Sequence, residues 1–337
     1  MSKSRTLVFG GTGYLGRYIV DALLKRGHRV SVVSRSKART SELFGRRVKA
    51  LEGDLEQISQ DQLASLFKGH DKLVFAAGVD ERVPPEGDPL SFYRRENVDR
   101  VQRVLEAAAD AGVSRATLLN SIFSTLDRLR PDVGLADHHP YIASRVEQRD
   151  MALATARGNY TMTVLEIPWV FGDARGGESQ WASLVQFART TPRLFVPRGG
   201  TVVTSAANVG HAAAGALELP KRSTATPVGD CWMSWEELLG TLVECCGREP
   251  LPVSRIPDRL LVQFNEMSGY GQKLFRLKSG LDYGRMHEFL LDDRPVDLRT
   301  SQKKLGYEPG DMRIALSETA SNVPESKAIA ALRRLIG

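Results

Sequence analysis

The residues best equipped for chemistry are Tyr141 and Arg145. In Tyr141-Ile142-Ala143-Ser144-Arg145 a phenol and a guanidinium stand four apart, a spacing that puts both on one face of a helix. A nearby positive charge favours the phenolate, so such a tyrosine can pass a proton to or from a substrate oxygen. Ser121 closes the apolar run Arg115-Ala116-Thr117-Leu118-Leu119-Asn120-Ser121 and can donate a hydrogen bond to the same oxygen. By spacing alone a plain surface Tyr/Arg helix pair is the better reading, so the rest of the chain must decide.

The start of the chain supplies that context. The strand-like run Thr6-Leu7-Val8-Phe9 empties into Gly10-Gly11-Thr12-Gly13-Tyr14-Leu15-Gly16, and a helical pattern follows through Ile19, Val20, Leu23 and Leu24 to Gly27. Glycines at spacing three between a strand and a helix suit a dinucleotide pyrophosphate. They permit a tight turn and a close backbone approach, and the helix N-terminus offers free N–H groups to the anion. A second strand, Arg29-Val30-Ser31-Val32-Val33, ends at Ser34-Arg35-Ser36-Lys37. An acidic residue there would bind a ribose 2′-OH and repel a 2′-phosphate. Neutral Ser34 followed by Arg35 predicts NADP(H) rather than NAD(H).

Strands and helices go on alternating. Val48–Asp54 and Lys72–Gly78 read as strands, a helix is expected from about 92 to 111, and Arg115–Ser121 is a fifth strand. Continuous apolar strands alternating with helices predict an α/β fold, a Rossmann-type doubly wound parallel sheet. Gly10, Arg35, Asp54, Gly78 and Ser121 fall at the strand ends where such sheets bind ligands. Residues 1–172 are expected to form the dinucleotide-binding domain, with 205–230 returning to it. Residues 173–204 and 231–320 are expected to form a smaller substrate lobe lined by Phe264, Met267, Tyr270, Phe275, Tyr283 and Met286, and 321–337 a C-terminal helix.

Composition narrows the class. The chain has 337 residues, 42% hydrophobic and 26% charged, with a formal net charge of +6. No basic stripe interleaves with aromatics, which argues against nucleic acid as a partner. No stretch is apolar enough to span a bilayer, so no membrane partner is expected, and the direct entry into the first strand leaves no room for a signal peptide. Cys231, Cys245 and Cys246 are expected to be buried free thiols in the cytoplasm. Asp137-His138-His139 precedes Pro140 on a loop and is not read as a metal site, although either histidine could line the cleft. Trp169 and Phe171 suit either the cleft or the core, and Glu166 reads as an outward or ion-paired carboxylate rather than a base.

Taken together these residues resemble the extended short-chain dehydrogenase/reductases, which include the NAD-dependent epimerase/dehydratases and the 3β-hydroxysteroid dehydrogenase-like enzymes. The resemblance covers most of the chain. The loop from Gly10 to Gly16 is similar to the family's TGxxGxxG, which places Gly10, Thr12, Gly13, Tyr14, Leu15 and Gly16 against the cofactor. Gly53-Asp54-Leu55 resembles the adenine-side GDL, Phe75-Ala76-Ala77-Gly78 the strand along the cofactor, and Asn97-Val98 the asparagine-valine of the next helix. Ile167-Pro168-Trp169-Val170-Phe171-Gly172 resembles RPxxVYG beside the nicotinamide, and Ala207-Asn208-Val209 the DNV helix start. Ser121 and Tyr141 fall at the family's catalytic serine and tyrosine. The family's lysine is Arg145, which keeps the charge but cannot release a proton at ordinary pH. The resemblance implies a hydride transfer to or from a carbonyl or alcohol and a homodimer formed through two helices, but it does not fix the substrate; the apolar, aromatic lining of the lobe points to a small hydrophobic one. Two alternatives stay open: a nucleotide-sugar epimerase or dehydratase that recycles its cofactor, and a non-catalytic dinucleotide-binding sensor or scaffold.

Overall fold

The apolar runs of the sequence become buried parallel strands. The computed structural model describes residues 4–324, apart from 178, 220, 221 and 295. The strands are β1 (Arg5–Phe9), β2 (Arg29–Ser34), β3 (Lys49–Glu52), β4 (Lys72–Phe75), β5 (Arg115–Ser121), β6 (Thr161–Ile167), β7 (Trp169–Phe171), β8 (Leu194–Val196), β9 (Gly200–Ser205), β10 (Thr224–Pro227), β11 (Cys231–Ser234) and β12 (Val253–Arg255). Among the described residues, seven form one sheet in the order β10-β6-β5-β4-β1-β2-β3 with every pairing parallel. The chain runs outward from β1 to β3, then crosses back to β4. The order therefore reverses between β1 and β4, and a crevice opens at their carboxyl ends.

Both faces of this sheet are covered. On one, the helix Tyr14–Lys25 packs on the helix Ala206–Ala216, around Ile19, Val20, Leu23, Val209 and Ala213. On the other lie the helices Gln60–Phe67, Arg100–Asp110 and Pro140–Ala156, around Phe67, Val104, Leu105 and Ala152. This is the Rossmann-type α/β fold that the alternation predicts. Beyond residue 172 the chain adds a three-stranded sheet, β11-β9-β7, and the short pair β12-β8. The helices Ala182–Thr190, Trp235–Cys245 and Met312–Ser321 pack there around Phe171, Trp235, Leu238 and Leu316. The terminal helix expected over 321–337 lies, beyond residue 324, outside the described residues.

One helix departs from expectation at a useful place. It begins at Pro89, earlier than 92, because the Asp88 carboxylate accepts the Ser91 N–H and Pro89 suits the first turn. Between Pro89–Arg94 and Arg100–Asp110 the backbone widens into a π-type turn over Arg95–Asp99. Such turns free backbone groups from the regular ladder. Here the Asn97 carbonyl accepts a hydrogen bond from the Gln148 side chain.

Candidate active site

The glycine loop meets the crevice where the strand order reverses. Gly10 has φ +77°, and a Cβ there would lie 2.6 Å from the Ala76 carbonyl carbon at the end of β4. A Cβ on Gly16 would lie 2.0 Å from the Gly10 oxygen, so the helix can start tight against the turn only because Gly16 has no side chain. The Gly13 N–H closes the turn onto the Gly10 carbonyl at 3.0 Å. Gly13 caps the Tyr14–Lys25 helix without any side-chain hydrogen bond, so its first amides are left to a ligand or solvent. A cradle that any Cβ would fill, at an uncapped helix start, fits a dinucleotide pyrophosphate. Gly10, Thr12, Gly13, Ser34, Arg35, Gly53, Asp54, Leu55, Ala76, Ala77 and Gly78 line one trough across these strand ends. The Tyr14 side chain is not part of it; its ring stacks edge-on to Tyr18, and burial raises the phenol pKa.

At the far end of the trough stands a buried polar network. Pro140 opens the helix Pro140–Ala156 at a position where its missing N–H costs nothing, and the next turns bring Tyr141, Arg145 and Gln148 onto one face. Arg145 donates from Nε to the Tyr141 hydroxyl at 3.2 Å and from Nη1 to Gln148 Oε1 at 2.9 Å. Asn120, next to Ser121 on β5, donates to Gln148 Oε1 at 2.7 Å and to the Arg145 carbonyl at 2.9 Å. Its own Oδ1 accepts from the Ser121 N–H and the Ser124 hydroxyl. Asn97 exchanges hydrogen bonds with the Val79 backbone behind Gly78, at 3.1 and 3.2 Å. A buried network in which each member is partnered is rigid. Asn120 and Gln148 are the members that sequence reasoning missed. The signal for Gln148 was its place seven residues after Tyr141 on the same helix face.

The expected depression of the Tyr141 pKa is not what this site shows. The net shift is upward, because the phenol is buried and burial penalises the phenolate; the Arg145 charge and hydrogen bonds from Ser121 and Arg145 oppose it without winning. The phenol is therefore held in its protonated form.

Tyr141 sits at a junction. With Ser121, Arg145, Pro168, Leu15 and Gly78 it lines a cleft continuous with the trough through Ala76–Val79. Glu81, Ile122, Phe123 and Trp169 belong both to this cleft and to an apolar chamber beyond it, closed by Trp232, Trp235, Leu281, Met286 and Phe289. Glu81 was missed by sequence reasoning, although Asp80-Glu81-Arg82 directly after a strand of small residues was a visible clue. Burial, then the neighbouring Asp80, raises the Glu81 carboxyl pKa against the pull of Arg82.

The expected lobe lining needs correction. Met286 does line the chamber, but Phe264, Met267, Tyr270 and Phe275 are among the most exposed apolar residues of the protein and Tyr283 is also exposed. Neither histidine lines the cleft: buried His139 accepts the Asp282 N–H at Nδ1, 3.0 Å away. Glu166 is ion-paired, the second of its two expected roles, and not outward. It is fully buried and held by both Arg128 Nη atoms at 3.0 Å and by Thr125. Phe171 is core, stacked on Trp181, and the three free cysteines are half-buried rather than buried.

A family model described as NAD(P)H-binding matches residues 10–193, over half the chain. The chain belongs to that NAD(P)H-binding family. Its relatives include a ketoreductase of Stigmatella aurantiaca, named for 4-hydroxy-2-methyl-3-oxo-4-farnesyl-3,4-dihydroquinoline-1-oxide, 26% identical over 65% of each chain. Phenylcoumaran benzylic ether reductase 1 of Arabidopsis thaliana is 32% identical over 36% of this chain and 45% of its own. The alignments thus span less than two thirds of either relative. The crystal structure of gox2253 matches with TM-score 0.74 at 20% identity, covering 95% of this chain and 97% of that one. That likeness extends the shared fold of this NAD(P)H-binding chain well beyond the family model, over most of the residues after 193. Among the described residues no helix is long and apolar enough to cross a membrane.

Proposed function

We propose that the protein is an NADP(H)-dependent oxidoreductase that interconverts a carbonyl and an alcohol on a small apolar substrate. The observation that carries this reading is the position of Tyr141 in the cleft that joins the glycine-lined trough to the apolar chamber. Gly10, Thr12, Gly13, Gly16 and Leu15 would hold the pyrophosphate side, Asp54 and Leu55 the adenine, and Ala76, Ala77, Gly78, Asn97, Arg145 and Pro168 the nicotinamide end. When bound, the nicotinamide supplies or accepts the hydride. In the reductive direction Tyr141 gives its hydroxyl proton to the substrate oxygen and Ser121 donates a hydrogen bond that orients it. The Arg145 guanidinium stabilises the phenolate that develops. The upward pKa shift of Tyr141 suits a donor that must keep its proton until the oxygen needs it.

Arg35 supports NADP(H). Lys37 pairs with Glu52 at 3.5 Å and Arg39 with Glu42 at 3.0 Å, whereas Arg35 lines the trough beside Gly53 and Asp54. The chamber supports an apolar substrate, because its walls are mostly tryptophan, phenylalanine, leucine, isoleucine, valine and methionine, with Glu81, Thr201, Asp292 and Arg294 as the polar exceptions. The farnesyl-bearing compound in the name of the Stigmatella relative is of the same character.

The test is NADPH oxidation with a panel of apolar ketones and aldehydes, by the wild-type protein and by Tyr141→Phe. Turnover should fall on the order of a hundredfold or more in the variant while NADPH binding persists. An active Tyr141→Phe enzyme would overturn the assignment of the proton donor. NADPH binding without turnover of any carbonyl would leave the sensor or scaffold reading in its place.

A further inference from the structure

The helix Asp258–Leu274 is inside out. Its inward face is Leu261, Asn265 and Gly269, and Gly269 packs so closely on Gly284 that a Cβ there would lie 2.6 Å from the Gly284 Cα. Its outward face carries Leu260, Phe264, Met267 and Leu274, which at about 100° per residue form a stripe roughly 120° wide with Tyr270 at its edge. The chain leaves the helix through Phe275-Arg276-Leu277-Lys278, with Arg276 at φ 51°. The six outward leucine, methionine and phenylalanine side chains of the helix and turn, all but Leu261, are each 55–74% exposed. Single exposed apolar residues are ordinary, but a contiguous stripe on a helix whose other face is already packed asks for a partner.

Charge selects that partner. Arg259, Lys273, Arg276 and Lys278 are exposed around the stripe. The Asp258 carboxylate is taken by Arg198 at 2.8 Å, which leaves Glu266 as the opposing charge on the outer surface of the helix. A second copy docked through this face would set the same cations against each other. An anionic lipid surface accepts both the apolar stripe and the cations.

We propose, against the expectation of no membrane partner, which rested on the lack of a bilayer-spanning stretch, that the Asp258–Leu274 helix and the turn Phe275–Lys278 seat the protein on an anionic bilayer surface, with Phe264, Met267, Leu274 and Phe275 in the acyl boundary. The inner face of the helix rests on residues 282–285, and Met286 and Phe289 directly after them line the apolar chamber. A substrate dissolved in the membrane would thus have a short path to the chamber. That choice of substrate source rests on the oxidoreductase reading, whereas the docking itself does not.

The experiment is flotation of the full chain, loaded with NADPH, on vesicles of phosphatidylcholine alone or with about a third phosphatidylglycerol. The wild-type protein should float with the anionic vesicles. Phe264→Ser/Phe275→Ser should lower that partitioning at least about tenfold. Lys273→Gln/Arg276→Gln/Lys278→Gln should erase the difference between the two vesicle types. Both variants should bind NADPH as the wild type does, since none of these residues lines the trough or the cleft. A wild-type protein that floats with neither vesicle overturns the proposal, as does a double-serine variant that floats as well as the wild type. Sedimentation gives the remaining outcome: a wild-type dimer that the double-serine variant loses, with no vesicle binding, assigns the face to a second copy instead. Each of these results can occur with hydride transfer intact, so the docking can fail while the oxidoreductase reading stands.

Discussion

Replacing Arg35 by alanine should change cofactor preference more than affinity for dinucleotides in general. Arg35 is exposed at the end of β2, on the trough wall with Gly10, Thr12 and Asp54. The neighbouring cations are held by Glu52 and Glu42. Without the guanidinium, a 2′-phosphate would lose its pairing partner and face the Asp54 side of the trough unopposed. A hydrogen bond to a charged group is worth about 1.5–3 kcal/mol, and the exposure of Arg35 argues for the lower part of that range. At about 1.5–2 kcal/mol, the Kd for NADPH should rise on the order of 10- to 30-fold, while that for NADH stays within about twofold. Fluorescence titration of both cofactors gives the two constants directly. Raising the salt from about 0.05 to 0.5 M should shrink the wild-type preference by screening and leave Arg35→Ala almost unchanged. Equal weakening of NADPH and NADH, or an unaltered ratio, would show that Arg35 does not read the 2′-position.

Two further outcomes follow from the buried groups near Tyr141. Arg145→Met removes the charge that counters burial of the phenol, so the pH at which Tyr141 loses its proton should rise further and kcat should fall on the order of a hundredfold; Arg145→Lys restores the charge and should recover most of that loss in the same pH–rate profiles, and no recovery would mean that guanidinium geometry rather than charge is what matters. Burial lowers the His139 pKa to about 4, from an ordinary histidine value of about 6.5, despite the carboxylates of Glu288 and Asp282. In that window the unfolded chain binds the extra proton, so stability is full above pH 6.5 and is lost as pH falls toward 4, by at most about 3 kcal/mol from this group. Denaturant midpoints measured from pH 7 to 4 should therefore drop less steeply in His139→Gln than in the wild type, and parallel slopes would remove His139 as a source of acid sensitivity.

What the sequence made legible was local. The strand, glycine triplet and helix of residues 5–25 lie within a single turn of chain, and their spacing carries both the shape of the loop and its purpose. Tyr141 and Arg145 are legible for the same reason, since i and i+4 meet on any helix. Asn120 is adjacent to Ser121 in sequence, yet its role as the link between β5 and the Tyr141 helix depends on a contact across 28 residues. The direction of the Tyr141 shift was missed because burial, its largest cause, is a property of the folded molecule rather than of the neighbouring charge. The clearest lesson is the helix Asp258–Leu274. Apolar periodicity shows that a helix has an apolar side but not which way that side turns. The pattern predicted a pocket lining, whereas the small inward residues Asn265 and Gly269, with Gly269 against Gly284, let the helix press its less apolar face onto the lobe and turn the stripe outward. The helix carries two glycines, Gly269 on the packed side and Gly271 within the outward stripe with nothing against it, so glycine position alone did not mark that orientation; only the approach of Gly284 to Gly269 in the folded molecule does.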